Sequence, residues 1–234
     1  MHYKIFASPM SGEMKTFLNY LSWSFFASVV ATPIMMIVAT LAGRFMGPTE
    51  YGKYNLVLIV NQFLVIFVFF GLDTTSVKYI AKAKTFLERK KEISTTSRFV
   101  LSLLVIQLLV AVIIFPVANK MSVNNSFLIP VVAVYTLVVT IKAMFDQLIR
   151  GMEKFKQQAQ GKVIEAMVVA LLFAIVFVLL NKSYYINFLA VTSAGAIVLS
   201  IYYFSYLSKY FGASDKIILK KRLNEGKLFF INHL

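Results

Sequence analysis

The sequence predicts an all-α membrane protein in which six transmembrane helices pack as one lobe, with both termini on the cytoplasmic side. Three observations carry that expectation. The chain of 234 residues is 59% hydrophobic and only 15% charged, with a mean hydropathy of +0.75, against about 25% charge in an average soluble domain. Its uncharged stretches, 16–43, 54–72, 99–119, 121–141, 166–181 and 183–208, run 28, 19, 21, 21, 16 and 26 residues, where a hydrocarbon core takes about 20 helical residues. Its cations are distributed unevenly between alternate loops, nineteen on one side and four on the other. Unpaired backbone is costly in hydrocarbon, so these stretches must be helices, and they lack the roughly ten-residue alternation of an outer-membrane barrel.

The first helix is expected over 17–43, preceded by a mixed, unpatterned extension, 1–13, expected to be disordered. Its 28 uncharged residues exceed the roughly 7–15-residue apolar region of a signal peptide, so it stays in the mature protein. The following helices are expected over 54–77, 98–118, 127–150, 162–181 and 185–208; the fifth reaches spanning length by admitting Glu165 near its start. A basic linker, 209–227, follows, and Leu228, Phe229, Phe230 and Ile231 reopen an apolar run, so that 228–234 reads as the start of a truncated seventh helix. The six-helix lobe therefore occupies 14–208.

Lys4 and Lys15, the loop from Lys78 to Arg98, the loop from Arg150 to Lys162 and the tail from Lys209 to Lys227 hold the nineteen cations; Arg44, Lys53, Lys120 and Lys182 are the four, and Lys142 lies within the fourth helix. By the positive-inside rule the rich side is cytoplasmic. The expected location is the plasma (inner) membrane, multi-pass. The net charge of +14 would point to nucleic acid in a soluble chain; its segregation by loop removes that partner.

Composition also excludes chemistries. With no cysteine, disulfides, thiolate nucleophiles and Cys-ligated metals are out. His2 and His233 stand at opposite ends of the chain, so no His-based triad or metal pair forms at usual spacing. No glycine-rich phosphate loop or zinc-protease pattern is present. The expectation is a non-enzyme without cofactor or metal.

Candidate functional residues sit inside the predicted helices. Lys142, Asp146 and Arg150 recur at i, i+4 and i+8 on one face of the fourth. They read either as an interfacial ladder closing the helix end or as a cavity-facing cation set for an anionic substrate, because a cation in hydrocarbon costs about 2.5–3.5 kcal/mol and seeks a partner or water. Ser24, Ser28 and Thr32 form a small hydroxyl stripe before Pro33, read as helix packing with a kink or as a gating hinge at Pro33. Asp73 and Glu165, near cytoplasmic helix ends, are candidates for interfacial ion pairs with Lys78 or Lys162, or for proton or sodium coupling. Asn61, Gln62 and Gln107 are expected to hydrogen-bond between helices. The segment from Arg44 to Tyr54, RFMGPTEYGKY, is expected to be a structured external loop with a turn at Gly47–Pro48 and a short helix starting at Pro48.

RFMGPTEYGKY, followed by FFGLDTTSVKYIAKA (69–83) and by IRGMEKFKQQAQGKVIE (149–165), resembles the oligosaccharide flippases. These form the polysaccharide-export branch of the superfamily that includes multidrug and toxin extrusion transporters. The resemblance implies a two-lobed, V-shaped transporter of twelve to fourteen helices, of which this sequence supplies the N-terminal lobe. The rest would come from a longer gene product or from a homodimer partner. It implies transfer of a polyprenyl-phosphate-linked oligosaccharide from the cytoplasmic to the outer leaflet, among membrane lipids and beside polysaccharide polymerase or glycosyltransferase machinery. Lys142 and Arg150 are then the candidate phosphate attractors, with Arg44 on the outer side. Two other functions compete: a cation-coupled multidrug antiporter of the same superfamily, disfavoured by the absence of any acid in 16–43, and a non-transporting scaffold of a polysaccharide assembly complex.

Overall fold

The computed structural model describes residues 12–69, 71–120, 128–212, 215, 217–220, 222, 223 and 225. Residues 1–11 of the expected extension and all of 228–234 lie outside the described residues. The elements are α1 (Gly12–Phe69), α2 (Leu72–Lys82), α3 (Phe86–Lys120), α4 (Leu128–Gly151), α5 (Phe155–Phe173) with a π-helical turn (Ala174–Leu179), and α6 (Tyr185–Leu207) with a single tight turn (Ser208–Tyr210); no strand occurs among the described residues. Among the described residues five helical runs are long and apolar enough to cross a membrane.

At 1.5 Å per residue, the 58 residues of α1 would reach about 87 Å as a straight rod, nearly three times a hydrocarbon core of about 30 Å. They do not form one. Gly47 stands at φ 71°, ψ 176°, a region closed to side chains with a Cβ, and splits the helix into 12–46 and 48–69. The first half runs beside α5 in the same direction: Tyr20 packs at a tilt against Phe155 (ring centroids 4.6 Å apart) and Phe45 meets Phe173 (6.1 Å) and Phe177 (6.4 Å). The second half follows α4 and α6: Val57 is buried with Val132 and Leu189, and Val68 and Phe69 with Met144, Leu148 and Met152. Pairing of Lys142 with Glu165 and of Asp146 with Gln158 sets α4 antiparallel to α5, so the chain reverses at Gly47. The expected loop over 44–53 is one residue of non-helical backbone, and Pro48 opens the second half directly, where its fixed φ and missing N–H suit a helix start.

The sequence places the second helix at 54–77, but it ends at Phe69. Gly71, at φ 75°, starts the separate α2. The third begins at Phe86, twelve residues before the expected 98, because charge marks where hydrocarbon ends and not where a helix ends. Thr85 and Glu88 form a capping box: Thr85 Oγ1 accepts from the Glu88 amide (3.2 Å), and the Glu88 carboxylate accepts from the amides of Lys84 (3.0 Å) and Thr85 (3.4 Å). α5 likewise starts at Phe155 instead of 162 through its polar FKQQAQGK turns. The fourth and sixth helices fall within a residue of their expected bounds. Pro33 lies in unbroken helix; the backbone break in α1 is at Gly47.

The lobe thus has a basic end, carrying Arg89, Arg150, Lys156 and Lys209, and a Gly47 end. At the Gly47 end, Glu50 accepts from Lys53 Nζ (2.7 Å) and from the Tyr185 amide at the start of α6 (3.1 Å), stitching the RFMGPTEYGKY segment to a distant helix terminus whose first amides lack helical partners. Tyr54 packs on Phe188 (4.8 Å) beside it.

Helix α5 meets α6 through glycine. A Cβ on Gly161 would lie 2.6 Å from Leu199 Cδ1 and from Tyr203 Cε1, and one on Gly195 would overlap Val169. In lipid, where apolar association gains nothing from water, such close backbone approach is a main source of helix–helix affinity. Replacement of Gly195 by Leu is therefore expected to cost about 1–3 kcal/mol through overpacking, read as a lower thermal-unfolding midpoint in detergent, while Gly52→Ala, which meets open space, does not lower it.

Candidate functional site

The ionic stripe predicted on α4 is present, and it is crosslinked to the neighbouring helices. Lys142 Nζ donates to Glu165 Oε1 of α5 at 2.5 Å, the two side chains 31% and 13% exposed. Asp146 accepts from Gln158 Nε2 at 3.0 Å to each carboxylate oxygen and from Arg150 Nη2 at 3.3 Å. The buried Tyr203 of α6 places its hydroxyl 3.0 Å from the Gln158 carbonyl and 3.3 Å from Asp146 Oδ1. The absence of a side chain at Gly161 admits the Tyr203 ring. Three helices therefore converge on one carboxylate, each donor reducing the cost of a charge away from bulk water.

Half of the expected ladder stands, as Arg150 with Asp146. Lys142 instead reaches across to Glu165, which pairs with it and not with Lys162, because α4 and α5 run antiparallel and bring the two side chains face to face. Asp73 sits in the first turn of α2 with Thr74 Oγ1 at 3.5 Å and forms no ion pair among the described residues. Arg44 is exposed at the Gly47 end, at the far end of the lobe from this cluster, and forms no ion pair or hydrogen bond there among the described residues.

Beside the cluster a cleft of about 290 Å³ opens between the first half of α1 and α5. Ser24, Ser28 and Thr32 line one wall; Arg150, Gln158 and Lys162 line the other. The small residues between the hydroxyls, Ala27 and Ala31, are buried on this side with Ala159. The stripe packs through its alanines, in keeping with the packing reading, while its hydroxyls line the cleft. Arg150 is partly neutralised by Asp146, whereas Lys162 has no ion pair among the described residues, so the cleft carries net positive charge. At its rim Lys156 lies over the Trp23 ring (5.3 Å), and Lys154 over Tyr206 (5.0 Å), amphipathic pairs suited to a headgroup layer. Burial and the nearby Lys209 hold the Lys154 ammonium below the usual lysine range.

Sequence reasoning missed Lys162, Gln158 and Tyr203 as site members. Gln158 and Lys162 are at i and i+4, a spacing legible only once α5 is known to begin at Phe155. Nothing in the sequence ties Tyr203 to Asp146.

A helical bundle with five long apolar runs among the described residues is a multi-pass membrane protein. The family described as "Polysaccharide biosynthesis protein" matches residues 18–232, and the chain belongs to that family. Among solved structures, it is similar to a multidrug resistance MATE family transporter of the MOP superfamily in an outward-facing conformation, with 15% identity and a TM-score of 0.62 over 93% of this chain. The chain spans 52% of that transporter's length. No curated protein matches it.

The Lys142–Glu165 pair gives a direct test of the cluster. Glu165→Ala leaves a half-buried ammonium without its partner and is expected to cost about 2 kcal/mol. Adding Lys142→Ala removes that stranded charge, so the double variant should be no less stable than Glu165→Ala alone, a double-mutant cycle readable by thermal unfolding. Additive losses would show that the two side chains do not interact.

Proposed function

We propose that the chain is the N-terminal lobe of a flippase that moves a polyprenyl-phosphate-linked oligosaccharide from the cytoplasmic to the outer leaflet of the plasma membrane. Counting the reversal at Gly47 as a hairpin of two gives six crossings, and with the cation asymmetry this supports an orientation in which the basic end and both termini are cytoplasmic. The single observation that carries the reading is the net-positive cleft of Arg150, Lys162 and three hydroxyls beside the first half of α1. A phosphate in hydrocarbon needs fixed cations and polar groups in place of water, whereas an isoprenoid tail can stay in lipid. Membership of the polysaccharide biosynthesis family supports the glycan as cargo.

In this reading Arg150 and Lys162 attract the phosphate, and Arg44 is an exposed cation at the exit side. Lys142, already engaged by Glu165, joins them when that pair opens. An inside-negative potential favours export of the anion by about 2.3 kcal/mol per charge per 100 mV. The second lobe comes from further chain or from a second copy, and polymerase or glycosyltransferase machinery is the expected neighbour.

The embedded acids Asp146 and Glu165 favour one other reading, a cation-coupled multidrug antiporter, for which the MATE likeness is the support. Both acids are neutralised by cations of the same cluster, which leaves no surplus negative charge for a cationic drug.

Arg150→Gln together with Lys162→Gln, introduced into the gene in its native host, should cut surface glycan at least tenfold, about 1.4 kcal/mol of lost stabilisation, with lipid-linked oligosaccharide accumulating inside. Unchanged glycan together with loss of ion-dependent dye efflux would support the antiporter instead.

A further inference from the structure

The chain leaving α6 folds back on the lobe. Arg222 is 8% exposed and forks onto Glu92 of α3, itself 10% exposed, with Nη2 to Oε1 at 2.5 Å and Nε to Oε2 at 3.2 Å. Its guanidinium carbon lies 3.1 Å from the ring centroid of Tyr79 in α2. The Tyr79 hydroxyl donates to Glu225 Oε1 at 2.7 Å, and this hydrogen bond is the main reason the hydroxyl titrates above the usual tyrosine range. Two backbone links complete the attachment: Ser94 Oγ donates to the Tyr210 carbonyl (2.9 Å), and the Asp215 amide donates to Thr95 Oγ1 (2.9 Å).

A buried ion pair rarely adds stability that an apolar pair of similar size would not, and its attested uses are registry and switching. Tyr210 is anchored in the core, its ring centroid 5.0 Å from that of Phe86, whereas the links made by Asp215, Arg222 and Glu225 are polar and can be exchanged for water, so the chain beyond Tyr210 can lift without stripping the core. Ile217, within it, is 82% exposed. The fork and the stacked ring admit one register, so the segment returns to the same seat. We infer that Asp215, Arg222 and Glu225, held beyond the fixed point at Tyr210, form a latch on the basic ends of α2 and α3, and that its release from Glu92 is a step in the working cycle of the protein. The latch involves neither Arg150 nor Lys162. Its role in a cycle rests on the flippase reading; its attachment does not.

These 234 residues hold no cysteine, and with any cysteine elsewhere in the intact protein replaced by serine the introduced thiols are the only ones labelled. In the intact protein in membrane vesicles, Thr95→Cys, whose side-chain position is covered by the Asp215 amide, should react slowly with a membrane-impermeant maleimide applied from the basic side, and at least tenfold faster when Arg222→Ala is added. Lys220→Ala, on an exposed neighbour, should leave the rate unchanged. Equal rates with and without Arg222→Ala overturn the latch. So does exposure of a core probe, Ala196→Cys, in the Arg222→Ala background, because Arg222 would then be holding the whole lobe. A second arm joins the segment to α3 through Thr95→Cys with Asp215→Cys. Oxidation should stop glycan export and reduction restore it, whereas equal export in both forms overturns release as a working step. No export in either form, with the cysteine-free parent also inactive, counts against the flippase reading and leaves the labelling rates to decide the latch.

Discussion

Every peptide group inside hydrocarbon must find its hydrogen bond within the protein, and the other features of this lobe are arranged around that requirement. Helices satisfy it locally, so the chain can interrupt them only where water or a side chain takes over. The interruptions at Gly47 and Gly71 are both at positive φ, and both fall at an end of the bundle. At the first, the Glu50 carboxylate meets the exposed amide of Tyr185. At the second, the Thr75 hydroxyl donates back to the Gly71 carbonyl (3.2 Å). The π turn at Ala174–Leu179 also lies at the Gly47 end, where α5 hands over to α6.

Charge follows the same economy. Lys142 with Glu165, Asp146 with Arg150 and Arg222 with Glu92 are each matched, and the matches lie between helices or within one face. An unmatched cation in such surroundings is therefore informative. Lys162, with no ion pair among the described residues, stands in that position beside a cleft with hydroxyls opposite, and the proposed anion site rests on this asymmetry more than on the number of charges on α4.

The sequence was most legible where hydropathy alone decides. The sixth helix falls within a residue of its expected bounds because its uncharged run, 183–208, ends where the helix does; the fourth does so although it runs past its uncharged stretch, carrying Lys142, Asp146 and Arg150 on to Gly151. It was less legible where a helix outruns the hydrocarbon. The polar first turns of α3 and α5 carry enough charge to read as loop, although the Thr85–Glu88 box marks the start of α3 in plain sight. In the site, the i+4 ladder on α4 was visible, but its partners were not: Glu165, Gln158 and Tyr203 meet it only through antiparallel packing and the missing side chain at Gly161. Single-sequence spacing describes one helix face and says nothing about which face it will oppose. The tail was legible only as basic. That Arg222 would be buried follows from Glu92 and Tyr79, more than a hundred residues earlier.

The reversal at Gly47 bears on how the protein is made. With a single residue between two apolar rods, no hydrophilic loop exists that could be threaded through the bilayer on its own. On the proposed six-crossing reading the first two rods enter lipid together, as one hairpin, and Arg44, Glu50 and Lys53 cross with them at its tip. Glu50 and Lys53, paired 2.7 Å apart, make that passage with two of the three charges already neutralised.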